Sequence, residues 1–215
     1  TDGFAPTVAK QVMVSDQAAH TIVFGCDPET NIGTQDPMLI RFSSVVNSRA
    51  ESLIVWKTEE TNSAGDLVLG SGSEIVTAVE TKQQIIVLTD TSIYSLQFLG
   101  PPLTYGVNMV SNNITVAGSF STVSIEDSVF WMGLSEFYVY DGGVKVIPCS
   151  VKDYVFNDFN DSQREKVCAG SNTAFTEVWW FYPSSTSSDN DRYVVYNYGQ
   201  NIWYFGNLSR TFWQD

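Results

Sequence analysis

Few side chains in this sequence have the types and spacing that catalysis requires. His20 is the only histidine, so a Ser–His–Asp triad or a Cys–His pair would have to use it. It directly precedes an apolar run, which favours a structural role at the edge of a strand. Zinc needs three or four close Cys or His ligands, and the chain contains neither a CxxC nor an HxxxH pattern. We therefore predict no catalytic residue, no cofactor and no metal site, and we do not expect an enzyme.

Two groups of carboxylates could do chemistry if the fold brought them together. The run Asp189–Asn190–Asp191 is rich in oxygen ligands of the kind that calcium prefers, but its spacing matches no EF-hand loop and such turns are commonly solvated. Asp153, Asp158 and Asp161 lie near a predicted helix, and paired carboxylates perform glycoside hydrolysis. The chain has 24 acidic and 11 basic residues, a net charge of −13. Neighbouring carboxylates are therefore expected without any catalytic role.

Tryptophans are the remaining candidate binding groups. Trp179, Trp180, Trp203 and Trp213 could form an exposed platform on which a sugar stacks. Strand alternation places Trp179 and Trp180 on opposite faces, so at least one of them is expected in the core. The other is expected at an interface between neighbouring sheets or subunits, because large exposed apolar patches usually mark contacts.

Three other patterns have simple explanations. The odd number of cysteines, without paired spacing, is typical of reduced and partly buried thiols, and a structural disulfide is the less favoured alternative: Cys26, Cys149 and Cys168. Three Asn-X-Ser/Thr matches are interpreted as chance, since no signal peptide is visible: Asn113, Asn160 and Asn207. Four glycines belong to no phosphate-loop motif and are interpreted as turn formers: Gly33, Gly65, Gly70 and Gly72.

The elements that must position these residues are short strands. Runs of β-branched and aromatic residues, bounded by Gly, Asp, Asn or Ser, dominate a chain that is 43% hydrophobic and predict hairpins. The predicted strand groups are Thr21–Cys26 with Met38–Phe42, Ile85–Leu88 with Ile93–Phe98, Val129–Met132 with Glu136–Tyr140 and Val144–Ile147, and Val178–Tyr182 with Arg192–Tyr196 and Ile202–Phe205. Only Val151–Arg164 has a helical period, with Ser150 as its predicted N-cap.

The spacing of these groups predicts a repeat. Their leading strands begin near positions 21, 85, 129 and 178, at intervals of 64, 44 and 49 residues. The longest interval contains three further strand-like pieces, Leu53–Trp56, Asp66–Leu69 and Glu74–Val79. A period of about 40–50 residues with three or four strands is typical of propeller blades. We therefore predict an all-β fold of about four to five propeller-like blades, with a β-sandwich as the alternative.

The same spacing predicts the domain organisation. Residues 1–19 precede the first predicted hairpin, and we expect them to be an N-terminal extension or linker. Residues 20–215 are expected to form the propeller-like domain, which can be part of a longer protein.

An ordered series of aromatic segments gives a more specific indication. The series is Val129–Gly133, Phe137–Gly142, Val146–Cys149, Val155–Asn160, Glu177–Pro183, Asp191–Asn197 and Trp203–Tyr204, with Asp66–Leu67 and Gly72–Ile75 upstream. In order and spacing it resembles the β-propeller tail proteins of tailed bacteriophages, the DNA-stabilisation, hub or nozzle proteins of short podovirus-type tails. The resemblance covers roughly residues 20–213.

The resemblance implies a structural protein of the virion. Such proteins form homo-oligomeric rings, expected to be hexamers, below the portal and adaptor. They line the channel through which DNA is ejected and dock the adaptor and the tail fibres. Genomic DNA would pass without sequence-specific binding, and the chain would be assembled in the host bacterial cytoplasm before residing in the virion tail. The alternatives are a carbohydrate-binding propeller module and a generic protein-interaction propeller.

Charge and hydropathy agree with that implication. Nucleic-acid and anionic-membrane binders need clustered Lys and Arg, whereas this chain is strongly acidic. An acidic surface would repel DNA and let it slide. No apolar stretch approaches the roughly 20 residues of a membrane span, so we predict no membrane insertion.

Overall fold

The computed structural model describes residues 3–45 and 54–213, and nearly all of its regular structure is β-strand. Within these residues, four sheets each contain four antiparallel strands in chain order. Sheet 1 contains β1 (Ala9–Val14), β2 (Thr21–Cys26), β3 (Leu39–Phe42) and β4 (Gly65–Val68). Sheet 2 contains β5 (Ile75–Glu80), β6 (Ile85–Thr89), β7 (Ile93–Gly100) and β8 (Thr104–Ser111).

The second half of the chain repeats this arrangement. Sheet 3 contains β9 (Thr122–Ile125), β10 (Ser128–Met132), β11 (Phe137–Tyr140) and β12 (Val144–Ile147). Sheet 4 contains β13 (Cys168–Asn172), β14 (Glu177–Pro183), β15 (Asn190–Asn197) and β16 (Ile202–Asn207). The helix α1 (Lys152–Asp158) and a 3₁₀ segment (Asp161–Lys166) connect the two sheets, and a second 3₁₀ segment (Thr173–Phe175) connects β13 to β14.

The predicted all-β fold with propeller-like blades is confirmed. Each sheet is a four-stranded meander in which every strand pairs with its neighbours in sequence, which is how a propeller blade is connected. Each predicted hairpin corresponds to observed strand pairing. Among the described strands there is no Greek-key crossover of the kind that characterises most β-sandwiches.

Two local predictions differ from the structure, at residues 9–14 and at residues 54–56. The segment 1–19, predicted as an extension, contains β1, which pairs with β2 from Ala9↔Cys26 to Val14↔Thr21. The chain divides into two compact units, Thr1–Asn112 (unit 1) and Asn113–Asp215 (unit 2). Of the strand-like piece 53–56, Leu53 lies outside the described residues, and residues 54–56 are not in a strand.

The predicted helix is shorter than its sequence pattern. It ends at Asp158, because Phe159 has an extended backbone and forms an isolated antiparallel bridge with Ser184. The N-cap is Val151, with no side-chain cap hydrogen bond. The prediction of Ser150 as the cap was therefore wrong. Val155 is fully buried, so the face of α1 that carries it packs against a hydrophobic core.

In unit 1, sheets 1 and 2 share one core, which includes Phe24, Ile40, Val87 and Leu96. The first strands of the two sheets lie side by side, and Gln11 joins them. Its Nε2 donates to the Ala78 carbonyl at 2.7 Å, and its Oε1 accepts from the Ala78 N–H at 2.7 Å. The amide side chain thus replaces one rung of strand pairing between the sheets.

A buried cation and a buried carboxylate fix the segment that leads into β1. Arg41 is 2% exposed, and its guanidinium donates to the carbonyls of Phe4 at 2.8 Å, Trp56 at 3.2 Å and Asp27 at 3.2 Å. The Asp27 carboxylate accepts from Thr7 N–H at 2.9 Å and Oγ1 at 2.8 Å, and from the N–H of two other residues, Val8 and Gly33. We call Asp27 and Arg41 the N-terminal clamp.

The clamp predicts an acid-sensitive contribution to stability. Burial alone would raise the pKa of Asp27, but the hydrogen bonds from Gly33, Thr7 and Val8 outweigh it and lower the pKa to about 2. Because the pKa of Asp27 is lower in the folded chain than in the unfolded chain, ionised Asp27 stabilises the fold. This contribution is complete above the unfolded-state pKa and disappears as the pH falls from about 4 to 2. We expect Asp27→Asn to cost about 2 kcal/mol at pH 7 and to flatten the pH dependence in that window. Urea unfolding at pH 7, 4, 3 and 2.5 measures both effects.

The exposed Asp16 provides the matched control. Asp16→Asn should leave the free energy of unfolding within about 0.5 kcal/mol of the wild type at pH 7, as surface substitutions usually do. An Asp27→Asn variant that loses stability between pH 4 and 2 as steeply as the wild type would contradict the assignment.

In unit 2, sheets 3 and 4 share a second core, which includes Phe130, Met132, Val178 and Val194. The first strands again lie side by side, here β9 and β13. Trp180 is fully buried in this core, and its indole N–H donates to the Ser121 carbonyl at 3.0 Å. The polar edge of the largest core side chain in sheet 4 is therefore satisfied.

Candidate functional site

The four tryptophans proposed as a platform form two separate pairs. Trp180 and Trp203 stack on the core face of sheet 4, with ring centroids 6.1 Å apart. Trp179 and Trp213 stack on the opposite face, with centroids 5.2 Å apart and rings within 7° of parallel. The predicted alternation of Trp179 and Trp180 is confirmed, and Trp180 is the core member. A single platform of all four rings does not form.

The opposite face of sheet 4 carries an aromatic cluster that we call the outer aromatic patch. It comprises Trp179, Phe181, Tyr193, Tyr204 and Trp213. Trp179 contacts the other four rings at centroid distances of 5.0 to 6.3 Å. Phe181 is the buried member of the patch, and the other four rings are partly exposed. Sequence periodicity indicated the Trp179 face, but nothing indicated that the C-terminal Trp213 would return to it.

Two glycines make room for the rings of the patch. A Cβ on Gly170 would overlap the indole of Trp213, and a Cβ on Gly206 would lie 2.6 Å from the Tyr193 hydroxyl. Gly170 and Gly206 pair with the aromatic residues Trp179 and Tyr193, respectively. An aromatic ring lying over a strand glycine restores apolar contact that the glycine lacks.

The Glu177 carboxylate lies at one edge of the outer aromatic patch. Glu177 Oε2 accepts the Trp179 indole N–H at 3.0 Å and the Asn172 amide at 3.4 Å, and Oε1 accepts the Tyr204 hydroxyl. Burial, followed by the hydrogen bond to Glu177, raises the pKa of Tyr204. The carboxylate thus orients two rings, and its oxygens are occupied by the protein's own donors.

The role of Gly170 can be tested. Gly170→Ala is expected to displace Trp213 from Trp179 and to cost about 1–2 kcal/mol, because the stacked contact and its apolar burial are lost. Near-ultraviolet circular dichroism reports the stacking and urea unfolding reports the stability. In a Trp213→Ala background the same substitution should cost little, since the clash is already removed. Equal costs in the two backgrounds would contradict the contact.

Both carboxylates of the oxygen-rich run 189–191 are paired with basic side chains of the protein. Asp189 pairs with Lys166 at 3.0 Å, and this hydrogen bond lowers the pKa of Asp189. Asp191 accepts from Ser184 N–H at 2.8 Å and pairs with Arg192 at 2.8 Å. Two cations thus occupy the carboxylates that calcium would need, although the run borders a cavity of about 520 Å³.

The three carboxylates near α1 are not paired with one another. Asp158 contacts Arg192 at 3.3 Å and accepts from Ser185 Oγ at 2.9 Å. Asp161 contacts Arg164 at 3.9 Å, and Asp153 is exposed. In the described part of the chain, no group of three or more His, Cys, Asp and Glu side chains could hold a metal ion.

His20 directly precedes β2 and is buried in unit 1. It is fully buried, its Nδ1 lies 2.6 Å from the Ser43 carbonyl, and three aromatic rings surround it, those of Phe42, Phe98 and Tyr105. The aromatic surroundings explain its burial. Among the described contacts, no serine hydroxyl or cysteine thiol hydrogen-bonds to its ring.

The cysteines are free thiols, as predicted. Cys26 and Cys168 are buried and Cys149 is partly buried. Burial raises the pKa of Cys26 to about 12 and that of each of the other two to about 11. At neutral pH these thiols are protonated and poor nucleophiles.

Exposed apolar side chains recur on the last strand of every sheet. Val68 on β4 is 59% exposed, Met109 on β8 46%, Val146 on β12 50% and Ile202 on β16 47%. Among the described strands, each of these has a single neighbour in its sheet. Recurrent apolar exposure beside an unpaired edge is typical of surfaces that contact other proteins. None of the described helices is long and apolar enough to cross a membrane.

No protein-family model matches the chain, and no curated protein sequence matches it. Among solved structures, a chain from the S. cerevisiae complex of a Dbp5 variant with Nup159, a Gle1 variant, IP6 and ADP matches with a TM-score of 0.47 at 8% identity, over 96% of this chain and 45% of that chain. The N-terminal domain of Nup159 matches with a TM-score of 0.46 at 8% identity, over 94% and 44%. This chain spans less than half of either match, and at these TM-scores the likeness supports no functional argument.

Proposed function

We propose that the chain is a structural subunit of a bacteriophage tail, of the hub or nozzle type, and not an enzyme. The observation that carries the proposal is the exposed apolar residue on the last strand of each sheet, because such edges suit a protein that is held by several neighbours. Subunits would associate into a ring, expected to be hexameric, and the same edges would dock the adaptor and tail-fibre proteins in the virion.

The charge distribution supports the same proposal. Unit 1 contains 12 acidic and 5 basic residues, and unit 2 contains 12 acidic and 6 basic residues. Both units are therefore acidic, and neither is expected to bind the phosphate backbone. A channel lined by such subunits would let genomic DNA pass without retention.

Electron cryomicroscopy of the native particle, or of the full-length product, tests the proposal. A closed ring of subunits around an axial channel, with Asp and Glu facing that channel, is the expected result. A basic channel wall, or a monomer with no place in a virion, would overturn it. An electrophoretic mobility assay at low salt should detect no complex with duplex DNA.

The outer aromatic patch favours a second candidate, a carbohydrate-binding module. Trp179 and Trp213 offer indole surfaces of the kind on which sugar rings stack, with Glu177 at the edge of the cluster. A glycan array should then give hits that disappear in Trp213→Ala. An array without hits would remove this candidate and leave the tail proposal standing.

A further inference from the structure

The last strands of the four sheets are not equally protected against pairing with another chain. Natural edge strands avoid such pairing by being short, by carrying charges or proline, or by bulging. β4 has four residues and includes Asp66, and β12 has four residues and includes Lys145. β8 is longer, but its pairing with β7 has two register shifts. Each of these three strands therefore has at least one protective feature.

β16 lacks all of these features. Its six residues, Ile202–Asn207, include no charged residue and no proline. Its pairing with β15 runs without a register shift from Asn197↔Ile202 to Arg192↔Asn207. Ile202 and Phe205 are 47% and 41% exposed and lie on opposite faces of the strand. An uncharged, regular strand with apolar residues on both faces is a template for strand addition.

We propose that β16 pairs antiparallel with β16 of a second copy of the chain, which joins two copies of sheet 4 into one eight-stranded sheet. This inference goes beyond the proposed function and does not rest on it. A two-fold axis perpendicular to the sheet keeps each face continuous, so the residue numbers of opposed pairs must add to an even number. The absence of charge in the strand means that self-pairing opposes no like charges.

One register of the β16 pair covers the exposed apolar side chains best. With Tyr204 opposite Tyr204 of the second copy, Ile202 lies opposite Gly206, and Trp203 lies opposite Phe205. Ile202 then packs beside the Tyr193 ring, which lies over Gly206 so closely that a Cβ on that glycine would be 2.6 Å from the Tyr193 hydroxyl. Both exposed apolar residues of β16 become covered. The register centred on Phe205 instead leaves Ile202 unpaired and sets Asn207 against Trp203.

Sedimentation equilibrium of the purified chain tests the dimer. The 23.9 kDa chain is expected to dimerise at roughly micromolar concentration, because a single strand pair is at the low end of specific interfaces. Tyr204→Lys places two ammonium groups opposite each other and should weaken the dimer by about tenfold or more. Val146→Lys on β12, which alters an exposed apolar residue on another edge strand, should leave the dimer affinity unchanged.

Charge complementation separates the proposed contact from a folding defect. The dimer affinity of Tyr204→Lys alone and of Tyr204→Glu alone should be lower than that of the wild type. An equimolar mixture of the two variants should recover the dimer. Tyr204→Cys should form an intermolecular disulfide under mild oxidation, because opposed residues of a strand pair have Cα atoms about 4.5–5.5 Å apart. Val146→Cys should not. A monomeric wild type, or variants that dimerise without regard to charge at position 204, would overturn the inference. A larger ring whose assembly is unchanged by the β16 substitutions would support the tail proposal and exclude this contact.

Discussion

Replacing Arg41 with alanine is expected to lower the free energy of unfolding by about 3–5 kcal/mol. The guanidinium is buried and satisfies three backbone carbonyls from separate segments, those of Phe4, Asp27 and Trp56. It also lies 5.9 Å from the centroid of the Trp56 ring. Removing it takes away the hydrogen bonds that hold the segments carrying Phe4 and Trp56 against sheet 1.

Equilibrium urea unfolding measures the loss, and limited trypsin digestion at Lys10 reports the release of the N-terminal segment. Arg41→Lys is the matched variant, since it keeps the charge but cannot reach three acceptors with one ammonium group. We expect it to be intermediate in stability. A loss below about 1 kcal/mol in Arg41→Ala, the range of an exposed side chain, would show that the clamp is not a structural anchor.

Trp180→Ala is expected to be about as damaging, with a loss of about 3–5 kcal/mol. Trp180 is fully buried, its ring centroid is 4.9 Å from that of Phe137, and it stacks on Trp203. Truncation opens a cavity at the centre of unit 2 and leaves the Ser121 carbonyl without its indole donor. Trp180→Phe fills most of the volume but still lacks that donor, so it should lose less, about 1–3 kcal/mol.

The neighbouring tryptophan makes a sharp comparison. Trp179 lies one residue away on the other face and is partly exposed, so Trp179→Ala should cost roughly half as much as Trp180→Ala. Far-ultraviolet circular dichroism during urea unfolding measures both variants without relying on tryptophan fluorescence. Equal losses would contradict the assignment of Trp179 to the outer face and Trp180 to the core.

The parts of the fold that could be predicted from sequence are those with dense apolar signals. The strands β2, β6, β10 and β14 are nearly continuous apolar runs, buried over most of their length, so their positions revealed the repeat. Each is the second strand of its sheet. The first strands were harder to predict: β9 and β13 consist mainly of small or polar residues, and β1 exposes Val12 and Val14.

The candidate site was predictable only in part, because it depends on contacts distant in sequence. Strand alternation predicts that Trp179 and Trp180 lie on opposite faces of the sheet. It cannot predict that Trp213 lies over Gly170, which is 43 residues away in the sequence. Local sequence placed His20 beside the start of a strand but could not predict its full burial. Its aromatic neighbours Phe98 and Tyr105 come from sheet 2, and only their packing makes burial of an imidazole possible.

The meander connectivity also determines how the chain should fold. Within sheets 2, 3 and 4, the connections between successive strands span at most six residues, whereas sheet 1 must close connections of 12 residues (27–38) and 22 residues (43–64). Short closures cost less entropy, and low contact order speeds folding. Sheets 2, 3 and 4 can therefore nucleate as local hairpins during synthesis, while sheet 1, although it leaves the ribosome first, is expected to complete its fourth strand last.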